Sequence, residues 1–436
     1  MHFGNLAKVI RKSDTVSTIG KIENVIGMSI EASGLKARVG DIAKVVTQDG
    51  NRGGVDVEVV GFKDDKTILM PYSDLGGVGA GDFVRNTGKS LEVPVGEFLK
   101  GRVVDALCNP IDDLGPFEAT ETIPVGNSYI NPLSRPPIRE RLSFGIKAID
   151  GMLTIGKGQR MGIFAGSGVG KSTLMGMIAK FAHADINVIA LVGERGREVK
   201  EFIQKELGPE GLKRSVVVVA TSDQSSMVRM KCPMVATAIA EYFKNQGQDV
   251  LLMMDSLTRF AMAHREIGLA VGEPPIARGY TPSIYAELPK LLERSGNFEN
   301  GSITGIYTVL VEGDDTNEPI SDTVRGIVDG HIVLSRKLAH KNHYPAIDVS
   351  QSISRLMSSI APEEHKQLAS GIRDIMALYE ENADMVAIGA YKKGTNPALD
   401  RAIDKMPEVD GFLKQGIGEA FEYDQIVEEM RKVLKD

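Results

Sequence analysis

Nine consecutive residues in this chain read Ala165-Gly166-Ser167-Gly168-Val169-Gly170-Lys171-Ser172-Thr173. The apolar run Met161–Phe164 comes directly before them, and Leu174, Ile178 and Phe181 after them fall on one side of a predicted helix. A strand, a glycine-rich loop and a helix in this order form the context in which a phosphate-binding loop works. The stretch therefore predicts a nucleoside triphosphate site at the end of a buried strand.

The residue types in this loop explain how it would bind phosphate. Glycines allow main-chain N–H groups to turn inward around phosphate oxygens, and the following helix adds the positive end of its dipole. Lys171 can reach the β- and γ-phosphates, and the Ser172 hydroxyl can bind Mg²⁺. The pattern usually begins with glycine, and this sequence has Ala165 instead. We expect the nucleotide to contact Gly166, Ser167, Gly168, Val169, Gly170, Lys171, Ser172 and Thr173.

Composition and charge limit the classes of protein to which this chain can belong. The chain has 436 residues, which suggests two or three domains, and it is 42% hydrophobic and 25% charged, as soluble globular proteins are. A formal net charge of -7 does not favour wholesale nucleic-acid binding, which needs a basic face. Neither an apolar run of membrane-spanning length nor a secretory signal is evident, so we expect a cytoplasmic protein. Cys108 and Cys232 are far apart, match no metal spacing and fit a reducing compartment.

The pattern of residues changes along the chain. Residues 1–12 are compatible with a short amphipathic helix or with a frayed terminus. From about 15 to 95, short alternating runs separated by turn signals predict a small closed β-barrel. Residues 96–140 are rich in Pro and Gly, which indicates a connecting segment with little regular structure.

From 141 to 350, continuous apolar runs alternate with helical patterns, as in a mostly parallel sheet covered on both faces, and the remainder predicts helices. The predicted domains are a barrel with a short N-terminal extension (1–95), a nucleotide-binding core that includes the connecting segment (96–350) and a helical domain (351–436).

Hydrolysis needs further groups beside the phosphate loop, and parallel sheets collect them at the carboxyl ends of their strands. The run Val250–Met254 ends at Asp255, which could hold Mg²⁺ through water, or could simply cap the strand. The run Val188–Val192 leads to Glu194 and Arg195. Glu194 could activate the attacking water and Arg195 could contact the γ-phosphate; the alternative is an exposed charged loop.

Phosphoryl transfer also needs positive charge in the transition state. An arginine finger supplies a rate factor of about 10³–10⁵. Arg355, in Ile353-Ser354-Arg355-Leu356, is the candidate finger. An interface salt bridge is the alternative interpretation, and position in the sequence does not separate the two.

Taken together, these residues resemble the catalytic subunits of the rotary ATP synthase superfamily, and within it the export ATPases of flagella and type III secretion systems. The resemblance covers the chain from about residue 15 to the end. Export ATPases also begin the phosphate loop with alanine, as this chain does at Ala165. The stretches that carry the resemblance are Phe164 to Ser172, Gly193 to Glu198, Asp255 to Arg259, Gly272 to Pro275 leading to Ser283, Tyr344 to Val349, Ile353 to Leu356 and Gly389 to Gly394.

The resemblance implies an N-terminal β-barrel, a RecA-like core of the α/β class with a mostly parallel sheet, and a C-terminal helical domain, assembled as a six-membered ring that uses ATP and Mg²⁺. It also implies a role for each matching residue. Lys171 and Ser172 would bind phosphate and Mg²⁺, and Asp255 would bind the metal. Glu194 would be the catalytic base, Arg195 would contact the γ-phosphate, and Arg355 would be a finger that reaches a neighbour's nucleotide. Tyr344 and, in a loosely aligned stretch, Tyr423 would contact the adenine.

The resemblance further implies a function and partners. The ring would couple ATP hydrolysis to the release of chaperones from export substrates and to their delivery. Partners would be a stator-like regulator at the N-terminus, a stalk protein in the central pore, chaperone–cargo complexes and a membrane export gate. The protein would be cytoplasmic and peripherally associated with the membrane at the base of the export apparatus, and the flagellar apparatus is favoured on resemblance.

Other functions share parts of this pattern. A catalytic subunit of a rotary ATP synthase would need a non-identical partner subunit. A ring-shaped RNA helicase has the same core but grips single strands through a basic groove with aromatic platforms, and this chain has no Trp and a negative net charge. A non-hydrolysing nucleotide-binding subunit is a further alternative, against which Glu194 argues.

Overall fold

The computed structural model describes residues 19–46, 54–126, 130–311, 313 and 318–435 of the 436-residue chain. The interpretation of residues 1–12 therefore lies outside the described residues. Across the described part, none of the helices combines the length and the hydropathy that crossing a bilayer requires.

The first folded unit is the predicted closed β-barrel, in the order β1-β2-β5-β4-β3-β6. Ile22, Val45, Val57, Leu69 and Val84 are fully buried in its interior. Buried and accessible residues alternate along β3, whereas β5 is buried on both faces from Thr67 to Pro71. Closure pairs the first strand with the last and removes the exposed sheet edges. Its strands are β1 (Ile19–Ile26), β2 (Ser29–Ser33), β3 (Ile42–Val46), β4 (Asp56–Lys63), β5 (Lys66–Pro71) and β6 (Phe83–Lys89).

A parallel sheet forms the centre of the molecule, in the order β19-β18-β12-β17-β15-β13-β14-β8 across the described residues. Its neighbours pair in parallel except for β19, which is antiparallel to β18, and β16, which is antiparallel to β17. The strands that follow the barrel are β7 (Glu92–Val95), β8 (Val103–Asp105), β9 (Glu121–Pro124), β10 (Arg141–Leu142), β11 (Ile155–Gly156), β12 (Arg160–Ala165), β13 (Ile186–Glu194), β14 (Ser215–Thr221), β15 (Asp249–Asp255), β16 (Gly296–Asn297), β17 (Ser302–Leu310), β18 (Gly330–Leu334) and β19 (Ile347–Ser354).

Helices cover both faces of this sheet, so the inner strands are buried along almost their whole length. The α-helices are α1 (Lys147–Met152), α2 (Lys171–Phe181), α3 (Gly196–Glu201), α4 (Gly208–Lys213), α5 (Ser226–Asn245), α6 (Leu257–Ala270), α7 (Pro282–Leu292), α8 (Pro319–Ile327), α9 (Arg336–His340), α10 (Met357–Ile360), α11 (Glu363–Ala387), α12 (Pro397–Leu413) and α13 (Tyr423–Leu434). A π-helical turn, Phe202–Leu207, joins α3 to α4, and 3₁₀ turns lie at Glu97–Leu99, Pro132–Ser134 and Ala277–Gly279. The α/β fold class predicted from the sequence, with barrel, core and C-terminal helices, is confirmed.

The connecting segment contributes more regular structure than its composition predicts. Strand β8 adds to the edge of the main sheet, parallel to β14, and β7 pairs with β9 in a separate two-stranded sheet. Strands of three or four residues are too short for a periodic pattern to reveal them. The division into 1–95, 96–350 and 351–436 stays a prediction, and β19 continues the central sheet to Ser354.

The C-terminal helices pack on the nucleotide-binding core through an unusually close contact at Gly151. A Cβ atom on this residue would lie 3.1 Å from Ile426 Cγ2 and from Phe412 Cζ, and 3.2 Å from the Met430 sulfur. Ile426 and Met430 are fully buried here. Side chains from α12 and α13 therefore interlock with α1, and the contact joins the helical segment to the core.

We predict that Ile426→Ala lowers the free energy of unfolding of the helical segment by about 2–5 kcal/mol, because it leaves a cavity at this contact. Thermal unfolding followed by circular dichroism measures the change. The matched control is Ile388→Ala, whose side chain is 78% exposed and whose effect should stay within about 0.5 kcal/mol. Equal unfolding temperatures for the two variants would contradict the packing role of Ile426.

Candidate active site

The phosphate loop forms the predicted turn between β12 and α2. Gly168 (φ 76°) and Gly170 (φ 88°) adopt left-handed backbone conformations, which side chains with a Cβ disfavour. Ser167 and Gly168 are exposed, and Lys171 is the first residue of α2. The loop therefore presents open main-chain groups at the positive end of a buried helix, the arrangement that binds anions.

Lys171, Asp255 and Glu194 meet beside this loop. The Lys171 ammonium pairs closely with Asp255 Oδ1 and lies 3.7 Å from Glu194 Oε1. Thr308 Oγ1 donates a hydrogen bond of 2.7 Å to Asp255 Oδ1. The side chains of Lys171, Glu194 and Asp255 are only 12%, 15% and 7% exposed. Strands β13 and β15 are parallel neighbours, so the register of the sheet brings the two carboxylates together.

The cluster shifts the proton affinity of its members. Burial raises the pKa of Glu194 from its usual 4.5 to about 7, and the Asp255 carboxylate adds to this effect while Lys171 opposes it. Burial alone would lower the pKa of Lys171, but the two carboxylates outweigh burial and raise it. A carboxyl group with a pKa near 7 is well suited to accept a proton at neutral pH.

The donor set at this site fits a magnesium ion bound together with a nucleotide. Among the described residues, no group of three His, Cys, Asp or Glu side chains is arranged to hold a metal alone. Mg²⁺ in nucleotide enzymes commonly takes one or two protein oxygens and completes its shell with phosphate oxygens and water. The exposed Ser172 hydroxyl at the start of α2 and the Asp255 carboxylate would supply such oxygens.

A cavity of 780 Å³ opens next to the phosphate loop. Tyr344 lines it, with its ring over Gly170, where a Cβ would lie 3.4 Å from Tyr344 Cε1. The predicted nucleobase contact at Tyr344 is therefore placed beside the loop. The remaining lining residues come from the phosphate loop, from α2 and from two other segments, and they are Gly168, Thr173, Leu174, Met177, Asn342, Pro345, Lys414, Gln415, Gly416, Ile417 and Glu419.

Sequence reasoning gave no role to Arg259 or to residues 414–419. Arg259 lies in the first turn of α6, which begins two residues after Asp255. Its aliphatic chain packs on Gly193, and its Nε is buried without a hydrogen-bond partner in the structure. Arg259 is therefore a further candidate for phosphate contact. The signal that could have identified Arg259 is its place in the stretch Asp255 to Arg259, which carries the family resemblance. Residues 414–419 carry no local motif, so the sequence offered no signal for them.

Arg195 is not drawn into the cluster. Its side chain is 81% exposed and pairs with Glu198 at 3.5 Å on the same helix. It directly follows Glu194, so it lies at the mouth of the site, and its predicted γ-phosphate contact stays a prediction.

Arg355 lies at the amino ends of the parallel strands, whereas the phosphate loop lies at their carboxyl ends. Its main-chain N–H donates to the carbonyl of Asp329 at 3.0 Å, and Asp329 N–H donates to the carbonyl of Arg160, at the start of β12. The phosphate loop begins after the other end of β12, roughly 20 Å away at the usual rise of a strand. Within one chain, Arg355 is therefore too distant to contact a nucleotide held by Lys171.

Tyr423 does not join the other predicted nucleotide contacts. It is buried at the start of α13, its hydroxyl pairs with His365 Nδ1 at 2.8 Å, and its ring is covered by the guanidinium of Arg141 at 3.7 Å. It is not among the residues that line the cavity beside Tyr344. The structure gives Tyr423 a packing role instead of the adenine contact expected from a loosely aligned stretch.

The phosphate loop, the acidic residues on adjoining strands and the parallel sheet define a nucleotide-binding protein of the RecA-like class. Two parts of the chain match known families: residues 145–354 match the ATP synthase alpha/beta family, nucleotide-binding domain, and residues 361–432 match the T3SS EscN ATPase C-terminal domain.

Known proteins match the chain over nearly its whole length. A flagellum-specific ATP synthase of Bacillus subtilis is 53% identical over 95% of this chain and 95% of its own. The assembled ATPase EscN of the enteropathogenic E. coli type III secretion system has 43% identity and a TM-score of 0.90, over 95% of this chain and 100% of that one. EscN in complex with its central stalk EscO gives 42% identity and a TM-score of 0.88, with the same coverage. The chain belongs to the family of flagellar and type III secretion ATPases.

The raised pKa of Glu194 leads to a prediction about stability and pH. The folded protein binds this proton more tightly than the unfolded chain, so the contribution of Glu194 to stability falls as pH rises from its usual pKa of 4.5 to about 7. We expect Glu194→Gln to raise the melting temperature of the nucleotide-free protein by roughly 2–5 °C at about pH 8 and by little at about pH 5.

Differential scanning calorimetry at the two pH values measures this difference. Glu201→Gln is the matched control, since Glu201 forms exposed ion pairs with Arg197 and Lys205 at 3.5 and 3.6 Å. An equal change at both pH values for Glu194→Gln would show that this carboxyl is not buried beside Asp255.

Proposed function

We propose that this chain hydrolyses ATP with Mg²⁺ in a homo-hexameric ring, and that the ring releases chaperones from export substrates and delivers those substrates for export. The observation that carries the proposal is the Glu194 carboxylate, which lies 3.7 Å from the phosphate-loop lysine at the end of β13, the strand beside the one that ends in Asp255. A site that only bound nucleotide would not need a second buried carboxylate there. The similarity to flagellar and type III secretion ATPases supports the same function.

Each residue of the cluster has a role in this reaction. The amides of residues 166–170 and Lys171 bind the triphosphate, and the ionised Glu194 orients water and accepts its proton. Ser172 and Asp255 would hold Mg²⁺, which would supply positive charge beside the phosphate oxygens. Arg195 and Arg259 lie where they can add positive charge at the γ-phosphate, and Tyr344 packs on the adenine.

A ring explains the position of Arg355. Because this residue is at the far edge of its own sheet, we propose that it supplies the finger for the nucleotide of an adjacent copy. Head-to-tail contacts of one chain with itself close into a ring when the rotation allows. Each site would then be completed by two neighbouring subunits.

The partners follow from the family. EscN has been solved in complex with its central stalk EscO, and we propose a comparable stalk for this ring. We further propose a stator-like regulator at the N-terminus, chaperone–cargo complexes as ligands, and a position in the cytoplasm at the base of a membrane export gate. We expect no nucleic acid partner.

The alternatives have less support. A rotary synthase subunit would need a different partner chain to complete its site, and residues 361–432 instead match the C-terminal domain of the secretion ATPases. An RNA helicase would need a basic groove with aromatic platforms, and the net charge is -7 with no Trp.

We predict that Glu194→Gln keeps ATP binding but lowers the hydrolysis rate by at least about 10²-fold, because it removes the general base. Lys171→Ala should lose both binding and hydrolysis. Binding is measured with a fluorescent ATP analogue and hydrolysis by phosphate release, with Glu201→Gln as the unchanged control. If Glu194→Gln hydrolyses ATP at the parent rate, the assigned base is wrong.

We also predict that two inactive variants restore activity when they assemble together. Arg355→Ala alone should lose about 10³-fold or more in rate, and Lys171→Ala alone should be inactive. In a mixed ring, an interface between an intact Lys171 and an intact Arg355 recovers hydrolysis, at about a quarter of the wild-type rate for random assembly. Co-expression with two affinity tags isolates mixed rings for the phosphate-release assay.

The control for this experiment is Lys171→Ala co-expressed with the double variant Lys171→Ala/Arg355→Ala, which must stay inactive because no intact phosphate loop is present. Failure of the first mixture, with mixed rings confirmed by both tags, would exclude a finger supplied by the neighbouring subunit.

A further inference from the structure

The wall of the nucleobase cavity opposite α2 is a loop between α12 and α13. Residues 414–419 form this wall, and Ile417 is 56% exposed. Within that range, all of which the structure describes, Gln415 is the buried residue, at 7% exposure. An exposed loop can form the wall of a cavity of fixed width only if it is anchored to the rest of the protein. The contacts of Gln415 identify this residue as the anchor.

The side chain of Gln415 reaches back to the start of the nucleotide-binding core. Its Oε1 accepts a hydrogen bond of 2.9 Å from the N–H of Lys147, and its Nε2 donates to the carbonyl of Gly145 at 2.8 Å. The segment that receives these bonds is itself fixed, because Gly145 N–H donates to the buried Asp150 carboxylate at 2.8 Å. The amide therefore bridges the loop to a rigid part of the core.

Two further bonds connect Gln415 to the walls of the cavity. Its main-chain N–H donates to the carbonyl of Tyr344 at 3.0 Å, and its Nε2 also donates to the carbonyl of Glu419 at 2.7 Å. Tyr344 is the aromatic residue whose ring lies over Gly170. Gln415 thus links the aromatic wall, the facing loop and the core in one set of hydrogen bonds.

Both hydrogens of the Gln415 amide are used in these bonds, so the side chain has no donor left for a nucleobase. We propose that Gln415 is a positioning residue, which sets the width of the cavity so that an adenine base packs between Tyr344 and the loop. This inference rests on the proposed ATPase function and concerns the same site. It predicts that loss of Gln415 weakens recognition of the base and leaves the grip on the triphosphate intact.

The test compares ATP with inorganic tripolyphosphate, which has the phosphates but no base. In the full-length protein, Gln415→Leu removes all three side-chain hydrogen bonds, and Gln415→Glu keeps the acceptor for Lys147 N–H. We expect Gln415→Leu to raise KM for ATP by about 10- to 100-fold, the effect of losing buried hydrogen bonds, with kcat within about threefold of wild type. Gln415→Glu should raise KM in the same direction, since its carboxylate cannot donate to either carbonyl.

The inhibition constant of tripolyphosphate against ATP hydrolysis should stay at the wild-type value in both variants. Gln246→Leu is the control, an exposed glutamine after α5 at the amino edge of the sheet, and both of its constants should be unchanged. Equal weakening of ATP and tripolyphosphate would overturn the inference, because it indicates general damage to the fold. An unchanged KM in both Gln415 variants would overturn it as well.

If Gln415→Leu does not fold, the nearly isosteric Gln415→Glu decides the question by the same two constants. Failure of the proposed function gives a separate result, because the wild-type protein would then show no ATP hydrolysis to inhibit. If the wild-type protein hydrolyses ATP and the Gln415 variants keep the wild-type ratio of KM for ATP to the inhibition constant of tripolyphosphate, only the role of Gln415 is rejected.

Discussion

One ammonium group between two buried carboxylates is the interaction on which the rest of this molecule depends. Lys171 lies between Asp255 and Glu194, and their side chains are 7% and 15% exposed. Two carboxylates so close would repel each other without a positive partner, and buried charges persist only when they are paired. The strands that carry them are neighbours in a parallel sheet, so the geometry of the chemistry is set by the main-chain register.

The sheet also separates functional groups between the carboxyl ends and the amino ends of its parallel strands. The phosphate loop, the two carboxylates and Tyr344 are gathered at the carboxyl edge, while Arg355 lies beside Asp329 at the amino edge. In the proposed reaction, a single chain therefore holds one nearly complete site and one group, Arg355, that serves another copy. This division fits the proposed ring, and a related secretion ATPase, EscN, has been solved as an assembly.

Much of this arrangement was predictable because its signals are local. Alternation predicts the barrel, continuous apolar runs predict the buried strands, and glycines beside Lys171 predict the phosphate loop. The features that were missed depend on contacts between distant parts of the chain. Lys147 and Gln415 are 268 residues apart, and no local pattern indicates that they share a hydrogen bond. Tyr423 was assigned from a loose alignment, and its actual partners, His365 and Arg141, follow only from the helical packing.

Strand β19 connects the cavity beside the phosphate loop to the opposite end of the sheet. Tyr344 lies three residues before its first residue and Arg355 directly after its last, so one strand joins the proposed nucleobase contact to the proposed finger. The eight residues of β19, Ile347–Ser354, pair with the five residues of β18, so the ends of the strand lie roughly 13 Å apart and the strand bulges between Asp348 and Ile353. If Arg355 reaches an adjacent copy as proposed, a shift of β19 when a base enters one pocket would also move that guanidinium, so the strand would transmit the event to the next site.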